Sequence, residues 1–209
     1  MAFNYKQILV VGATAGIGAA LADKFISEGA KVIAVGRRQD RLDAFVEKHG
    51  RDKASAVRYD INDREGLDSF VNGILSKFPD LDSVILNAGV QSPILLSKPE
   101  EVDLDAFHAE VSTNFSRLVD LSVKFLPQLQ AKPYPTSLAF TSSNLALVPA
   151  VPMPAYSASK AALTAYVYCL RRMNQDKSTK IIEISSGCSD RTPRLHDPRG
   201  RPQGRHATR

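Results

Sequence analysis

The chain has 209 residues, 44% hydrophobic and 23% charged, a balance expected of one soluble domain with a full core and not of two. Its net charge of +5 resides mainly in one segment: from Ser186 onward six arginines face only Asp190 and Asp197, a net of +4, so the main body lacks the broad basic face of a nucleic-acid binder. The longest apolar run, Ile8 to Ala22, is too short to span a bilayer, and its three glycines also exclude a signal peptide, so a cytoplasmic chain with no membrane partner is expected.

The elements alternate. "QILVVG" reads as a buried strand ending in glycine, and "GIGAALADKFISEGA" as a helix closed by Gly29. "KVIAVG" is a second strand, and "DRLDAFVEKH" a helix that Asp40 is placed to cap. A short strand around "AVRYD" precedes a helix from about Asp63 to Phe78. "SVILNAG" is the fourth strand, followed by one long helix from Val102 to Leu129. "SLAFTSS", a helix over Ala155–Gln175, and a sixth strand "TKIIEIS" complete the series. Strands apolar on both faces, alternating with helices, predict a parallel sheet covered by helices: an α/β, Rossmann-like doubly wound fold. Cys169 falls on an apolar helical pattern and is read as a small core residue. Cys169 and Cys188 give no disulfide framework, and the four histidines show no ligand spacing, so no metal is expected.

Between the first strand and helix lies "VGATAGIG", with Gly12, Thr14, Gly16, Ile17 and Gly18. Glycines there permit a tight turn and let backbone N–H groups approach a pyrophosphate at the helix N-terminus. A plain strand-to-helix turn would also use glycine; the position, after the first strand and opening the first helix, favours a dinucleotide site. The second strand ends in Gly36-Arg37-Arg38. An acid there would bind a ribose 2′-hydroxyl and repel a 2′-phosphate, whereas guanidinium groups pair with phosphate in bidentate fashion. NADP is therefore the expected cofactor, with NAD disfavoured.

"YSASK" places Tyr156 and Lys160 four apart on one helix face, and Ser143 lies thirteen residues upstream at the end of the fifth strand. A phenol is a poor acid at neutral pH, and a nearby ammonium lowers its pKa. The set of motifs resembles the short-chain dehydrogenase/reductase family: G-x-x-x-G-x-G, "YDI" at Asp60, "LNAG" at Asn87–Gly89, "STNFS" at Asn114, "TSSN" at Ser143 and "YSASKAAL", in the family's order over residues 7 to about 185. The resemblance implies a tetrad. Tyr156 would exchange the proton with the carbonyl or alcohol, and Lys160 would depress the phenol and hold the nicotinamide ribose. Ser143 would bind the substrate oxygen, with Ser142 a weaker competitor, and Asn114 would hold a relay water. Asp60 and Ile61 would bracket the adenine, and Asn87, Ala88 and Gly89 would lie against the cofactor. Val11 stands where the family usually has threonine, and Leu86 where it has asparagine. Full-length relatives are expected to be homo-oligomers. Sugar-nucleotide epimerases share Tyr-x-x-x-Lys but resemble G-x-x-G-x-x-G at the loop.

"GVQSPILLS" and "LVPAVPMPA" would flank the substrate, and their apolar character favours a hydrophobic carbonyl or alcohol. After the sixth strand, "SSGCSDRTPRLHDP" stands in place of the family's "PG-x-V-x-T" loop, lid and seventh strand. Hypothetical codons for Ser186–Asp197, read from their second base, encode Pro-Ala-Val-Gln-Thr-Glu-Leu, which resembles the missing loop. The expectation is a dinucleotide-binding oxidoreductase domain over 1–185, incomplete at its C-terminus, and a basic, irregular, out-of-frame tail over 186–209. The rivals are a genuine basic tail for acidic partners, and a non-catalytic nucleotide-binding homologue lacking the substrate lid.

Overall fold

The structure, a computed structural model, describes residues 5–186. β1 (Gln7–Val11), β2 (Lys31–Gly36), β3 (Ala54–Arg58), β4 (Ser83–Leu86), β5 (Thr136–Ser143) and β6 (Thr179–Ser186) form one sheet in the order β3-β2-β1-β4-β5-β6. Every neighbouring pair is parallel. Between the strands run α1 (Gly16–Ser27), α2 (Gln39–His49), α3 (Leu67–Lys77), α4 (Leu104–Val111), α5 (Arg117–Gln130) and α6 (Pro154–Met173).

The period of two in β1 sorts its side chains onto the two faces. Leu9 and Val11 join Phe70 and Ile74 of α3, Leu118 and Phe125 of α5, and Leu163 and Val167 of α6. Ile8 and Val10 join Ala22 and Ile26 of α1 and Leu42 of α2. Both faces are thus buried in apolar contact, which is why the strands read as continuous apolar runs. The strand order reverses between β1 and β4, and the carboxyl ends of those strands open a crevice where doubly wound folds place ligands.

Four local readings need correction. Asp40 does not cap α2: the helix starts at Gln39 with Arg38 at the cap and no side-chain cap bond, and Asp40 sits in the first turn, where its charge complements the helix dipole. The third helix starts at Leu67 and not Asp63, because Asp63 is spent on a turn, its Oδ1 accepting from Gly66 N at 2.9 Å. The long helix is helical throughout Leu104–Gln130 but widens into a π-turn at Ser112–Ser116. Cys169 is exposed, because α6 turns Leu163 and Val167 to the core and leaves position 169 on the outer side.

No helix among the described residues is long and apolar enough to cross a membrane. The expected basic, irregular, out-of-frame tail over 186–209 lies outside the described residues apart from Ser186, which ends β6.

Candidate active site

A cleft of about 590 Å³ opens at the β1/β4 switch point. Its floor is the glycine loop. Gly12 has φ +87°, and a Cβ there would lie 2.7 Å from the Ala88 backbone. A Cβ on Gly18 would lie 2.1 Å from the Gly12 carbonyl oxygen and 2.5 Å from the Asn87 side chain. Backbone therefore meets backbone where any side chain would intrude. Asn87 fixes the loop by donating from Nδ2 to Gly12 O at 3.1 Å, and its own N–H bonds Val11 O at 3.0 Å. α1 begins at Gly16 with Ala15 at the cap position, no side-chain cap bond and no acid in its first turn. Its leading N–H groups thus remain available to an anion at the positive end of the helix.

Gly12, Thr14, Gly16, Ile17, Arg37, Arg38, Asp60, Ile61, Asn87, Ala88, Gly89, Tyr156 and Lys160 all line this cleft. Gly18 lies beneath it, buried under the loop. At the far end, Arg38 donates from Nε and Nη2 to Thr14 Oγ1 at 3.2 and 3.0 Å. Arg37 Nη1 lies 3.6 Å from Asp60 Oδ2, both exposed, a weak pair that a stronger anion can replace. The residues fit a dinucleotide: a side-chain-free cradle, uncapped amides and two cations. Thr141 Oγ1, buried and unpartnered at the cleft wall, adds a polar atom available to a ligand.

The chemistry-bearing side chains converge from two elements, β5 and α6. Ser143 ends β5, is buried, and hydrogen-bonds with the Tyr156 side chain from the first turn of α6. Ser142 points elsewhere, sharing a 2.9 Å hydrogen bond with Thr164 Oγ1. Lys160 is 3% exposed, and its Nζ donates to Thr141 O at 2.8 Å and sits 5.6 Å from the Tyr156 ring centroid. Burial lowers Lys160 from 10.5 to about 8.

Tyr156 departs from expectation. Burial pushes its phenol above the ordinary value, Ser143 pulls the other way, and the charge of Glu110 adds to the rise. Desolvation is the largest of these causes and outweighs the hydrogen bond from Ser143.

Asn114 does not line the cleft. It lies fully buried in the π-turn, its Oδ1 accepting from Val90 N at 2.8 Å and its Nδ2 donating to Val90 O at 2.8 Å and Ser159 Oγ at 3.2 Å. π-turns recur at functional positions, and this one swings an amide onto the segment after β4. The sequence reading missed Ser159, whose Oγ also donates to Tyr156 O at 2.7 Å, although it stands inside "YSASK". Thr141 could not be read, because its backbone carbonyl is what engages Lys160.

The sequence profile described as short chain dehydrogenase matches residues 6–200. An uncharacterized oxidoreductase, DltE, of Bacillus subtilis is 32% identical, the match covering 88% of this chain and 72% of the relative. A benzil reductase ((S)-benzoin forming) of Saccharomyces cerevisiae is 29% identical with the same coverage, 88% and 72%. The closed form of a serine dehydrogenase complexed with NADP+ superimposes with a TM-score of 0.79 at 25% identity, covering 87% of this chain and 71% of that one. On the strength of that profile and these likenesses, the chain belongs to the short-chain dehydrogenase/reductase family, oxidoreductases that use a nicotinamide cofactor.

Proposed function

We propose that the chain exchanges hydride between NADP(H) and the carbonyl/alcohol pair of a small hydrophobic molecule. The observation that carries this reading is the meeting of Tyr156 and Lys160 on the wall of the cleft whose floor is the glycine loop, with Ser143 hydrogen-bonded to the phenol from behind the lining. A bound nicotinamide supplies or accepts the hydride. The chain's own residues do the rest. Ser143, already beside the phenol, holds the substrate oxygen, and Tyr156 gives it a proton in reduction or takes one in oxidation. Lys160 holds the ribose and, once an anion or phenolate forms beside it, favours that charge. The Asn114 side chain is fully used on Val90 and Ser159, so any part in holding a relay water falls to its main chain.

Arg37 and Arg38 support NADP over NAD: they lie at the end of β2 with no acid in the position that would bind a ribose 2′-hydroxyl. The apolar substrate is supported by Leu95, Leu96, Leu147, Val148 and Val151, all exposed on the loops after β4 and β5. That same exposure favours a second reading, a nucleotide-binding protein without turnover. The test is NADPH consumption against a panel of hydrophobic ketones and diketones, with binding titrated in parallel. Turnover supports the oxidoreductase, and tight NADPH binding with no turnover on any carbonyl supports the second reading. No binding at all overturns both.

A further inference from the structure

A buried hydroxyl without partners is costly, so where its bonds go says what it holds. Ser122 of α5 and Ser159 of α6 are both 0% exposed. Each donates to a carbonyl three residues back on its own helix, Ser122 Oγ to Val119 O at 2.8 Å and Ser159 Oγ to Tyr156 O at 2.7 Å. Helical serines commonly make that bond. The second partners differ. Ser122 shares a 2.7 Å hydrogen bond with the Tyr166 hydroxyl, and neither residue lines the cleft. Ser159 Oγ accepts from Asn114 Nδ2 at 3.2 Å, a bond that crosses from α6 to the π-turn.

The Asn114 amide is pinned in one orientation. Val90 donates its N–H to Oδ1 and accepts from Nδ2 at its C=O, both at 2.8 Å, and a flipped amide would satisfy neither. The other Nδ2 hydrogen goes to Ser159. Val90, Asn114, Ser159 and the Tyr156 carbonyl thus form one continuous chain of hydrogen bonds. Val90 and Tyr156 line the cleft and Asn114 and Ser159 do not, so the chain joins two parts of the wall from behind. The first turn of α6 has use for such a tie. It begins at Pro154 with Met153 at the cap position and no side-chain cap bond, and Tyr156 stands in it. Helix ends without a tie fray.

We propose that Ser159 is a positioning residue: with Asn114 it braces the Tyr156 turn of α6 against the Val90 segment, and so holds the phenol in place for proton transfer. This rests on Tyr156 being the acid of the proposed reaction. Ser159 touches no reacting atom; its hydroxyl reaches the Tyr156 main chain and the Asn114 amide. Alanine at 159 removes both bonds at once and leaves one Nδ2 hydrogen of Asn114 unpaired in a buried place. A shift of about 1 Å at a reacting group can cost roughly 10²-fold in rate, so a slackened brace is expected to show in kcat.

The test uses the full chain and a matched pair of variants, Ser159→Ala and Ser122→Ala. Each loses one buried hydroxyl with the same back-bond, so both should melt below the parent by a similar amount. Ser159→Ala should lower kcat for a hydrophobic carbonyl about tenfold, with KM and NADPH affinity within about twofold of the parent. It should also speed amide hydrogen exchange at Val90 about tenfold. In protein carrying ring-labelled tyrosine it should shift the Tyr156 resonance, assigned by its loss in Tyr156→Phe. Ser122→Ala should leave kcat, Val90 exchange and the Tyr156 resonance at parent values and move Tyr166 instead. Val90 exchange and a Tyr156 resonance unmoved in Ser159→Ala overturn the brace. Equal movement of both in Ser122→Ala also overturns it, because the effect would then be one of general stability. Parent-level kcat in Ser159→Ala with both signals moved overturns the effect on proton transfer. If Ser159→Ala fails to fold, Ser159→Cys, similar in size and a much weaker hydrogen-bonding group, reads the same loss. Exchange and resonance need no turnover, so they stand apart from failure of the oxidoreductase reading, which would show as full activity in Tyr156→Phe.

Discussion

The loops after β1 and β2 and the loops after β4 and β5 open at the same sheet edge but are built on opposite principles. In the first pair, backbone meets backbone: Gly12 and Gly18 leave no room for a Cβ, and Gly12 N and Ala13 N bond Val35 O at 2.9 and 3.0 Å. In the second pair, apolar side chains face outward, Leu147 at 79% and Val151 at 94% exposure. A dinucleotide presents the same pyrophosphate every time, so preset amides can meet it. A hydrophobic substrate offers no fixed anion, and side chains that can repack are the means of meeting it.

The comparison breaks most severely at the glycine floor. Gly18→Val places atoms inside the Gly12 carbonyl and the Asn87 amide. Loss of NADPH binding by roughly 10²-fold or more is expected, with a cost of about 1–3 kcal/mol in stability from overpacking. A fluorescence titration and a thermal melt check both; unchanged binding would mean that the loop is not the cradle.

Lys160→Met should cut turnover heavily while stabilising the fold. The lysine falls from 10.5 to about 8 by burial. Below about pH 8 it is charged in both states and its burial cost is full. Between about 8 and 10.5 the unfolded chain binds the extra proton, so stability from this group rises with pH. The drop corresponds to ~3 kcal/mol, part of which is offset by the bond to Thr141 O, leaving roughly 1–2 kcal/mol gained by methionine at pH 7. Melts of both proteins from pH 7 to 10.5 should show that advantage shrinking; a constant gap contradicts the assignment.

Replacing Arg37 and Arg38 with alanine should lower NADPH affinity by about 10- to 100-fold and leave NADH nearly untouched, measured by parallel titrations. On the adaptable side the effects are smaller. Leu147→Ser with Val148→Ser should change stability by less than about 0.5 kcal/mol, because both are exposed, yet raise KM for an apolar carbonyl several-fold. An unchanged KM would remove these side chains from the substrate wall.

The rigid half was the legible half. Glycines at 12, 16 and 18, arginines at 37 and 38, and Tyr156 four before Lys160 are local patterns with local causes, and the sheet follows from apolar runs buried on both faces. What escaped reading depends on the tertiary fold. The π-turn at Ser112–Ser116 leaves no mark on helical periodicity, and Asp63 looked like a helix start because its turn bond to Gly66 resembles a cap. The raised phenol of Tyr156 needed burial and Glu110, neither visible from a spacing of four. The exposure of Cys169 needed the direction in which α6 faces the sheet.

The central claim is that Tyr156 transfers the proton in a cleft already shaped for the cofactor. Its most direct measurement is NADPH-dependent reduction of a hydrophobic carbonyl by the parent chain and by Tyr156→Phe, with NADPH affinity titrated in both. Turnover in the parent, falling by roughly 10²-fold or more in the variant while affinity stays within about twofold, is the predicted result. Equal turnover in the two proteins contradicts the claim.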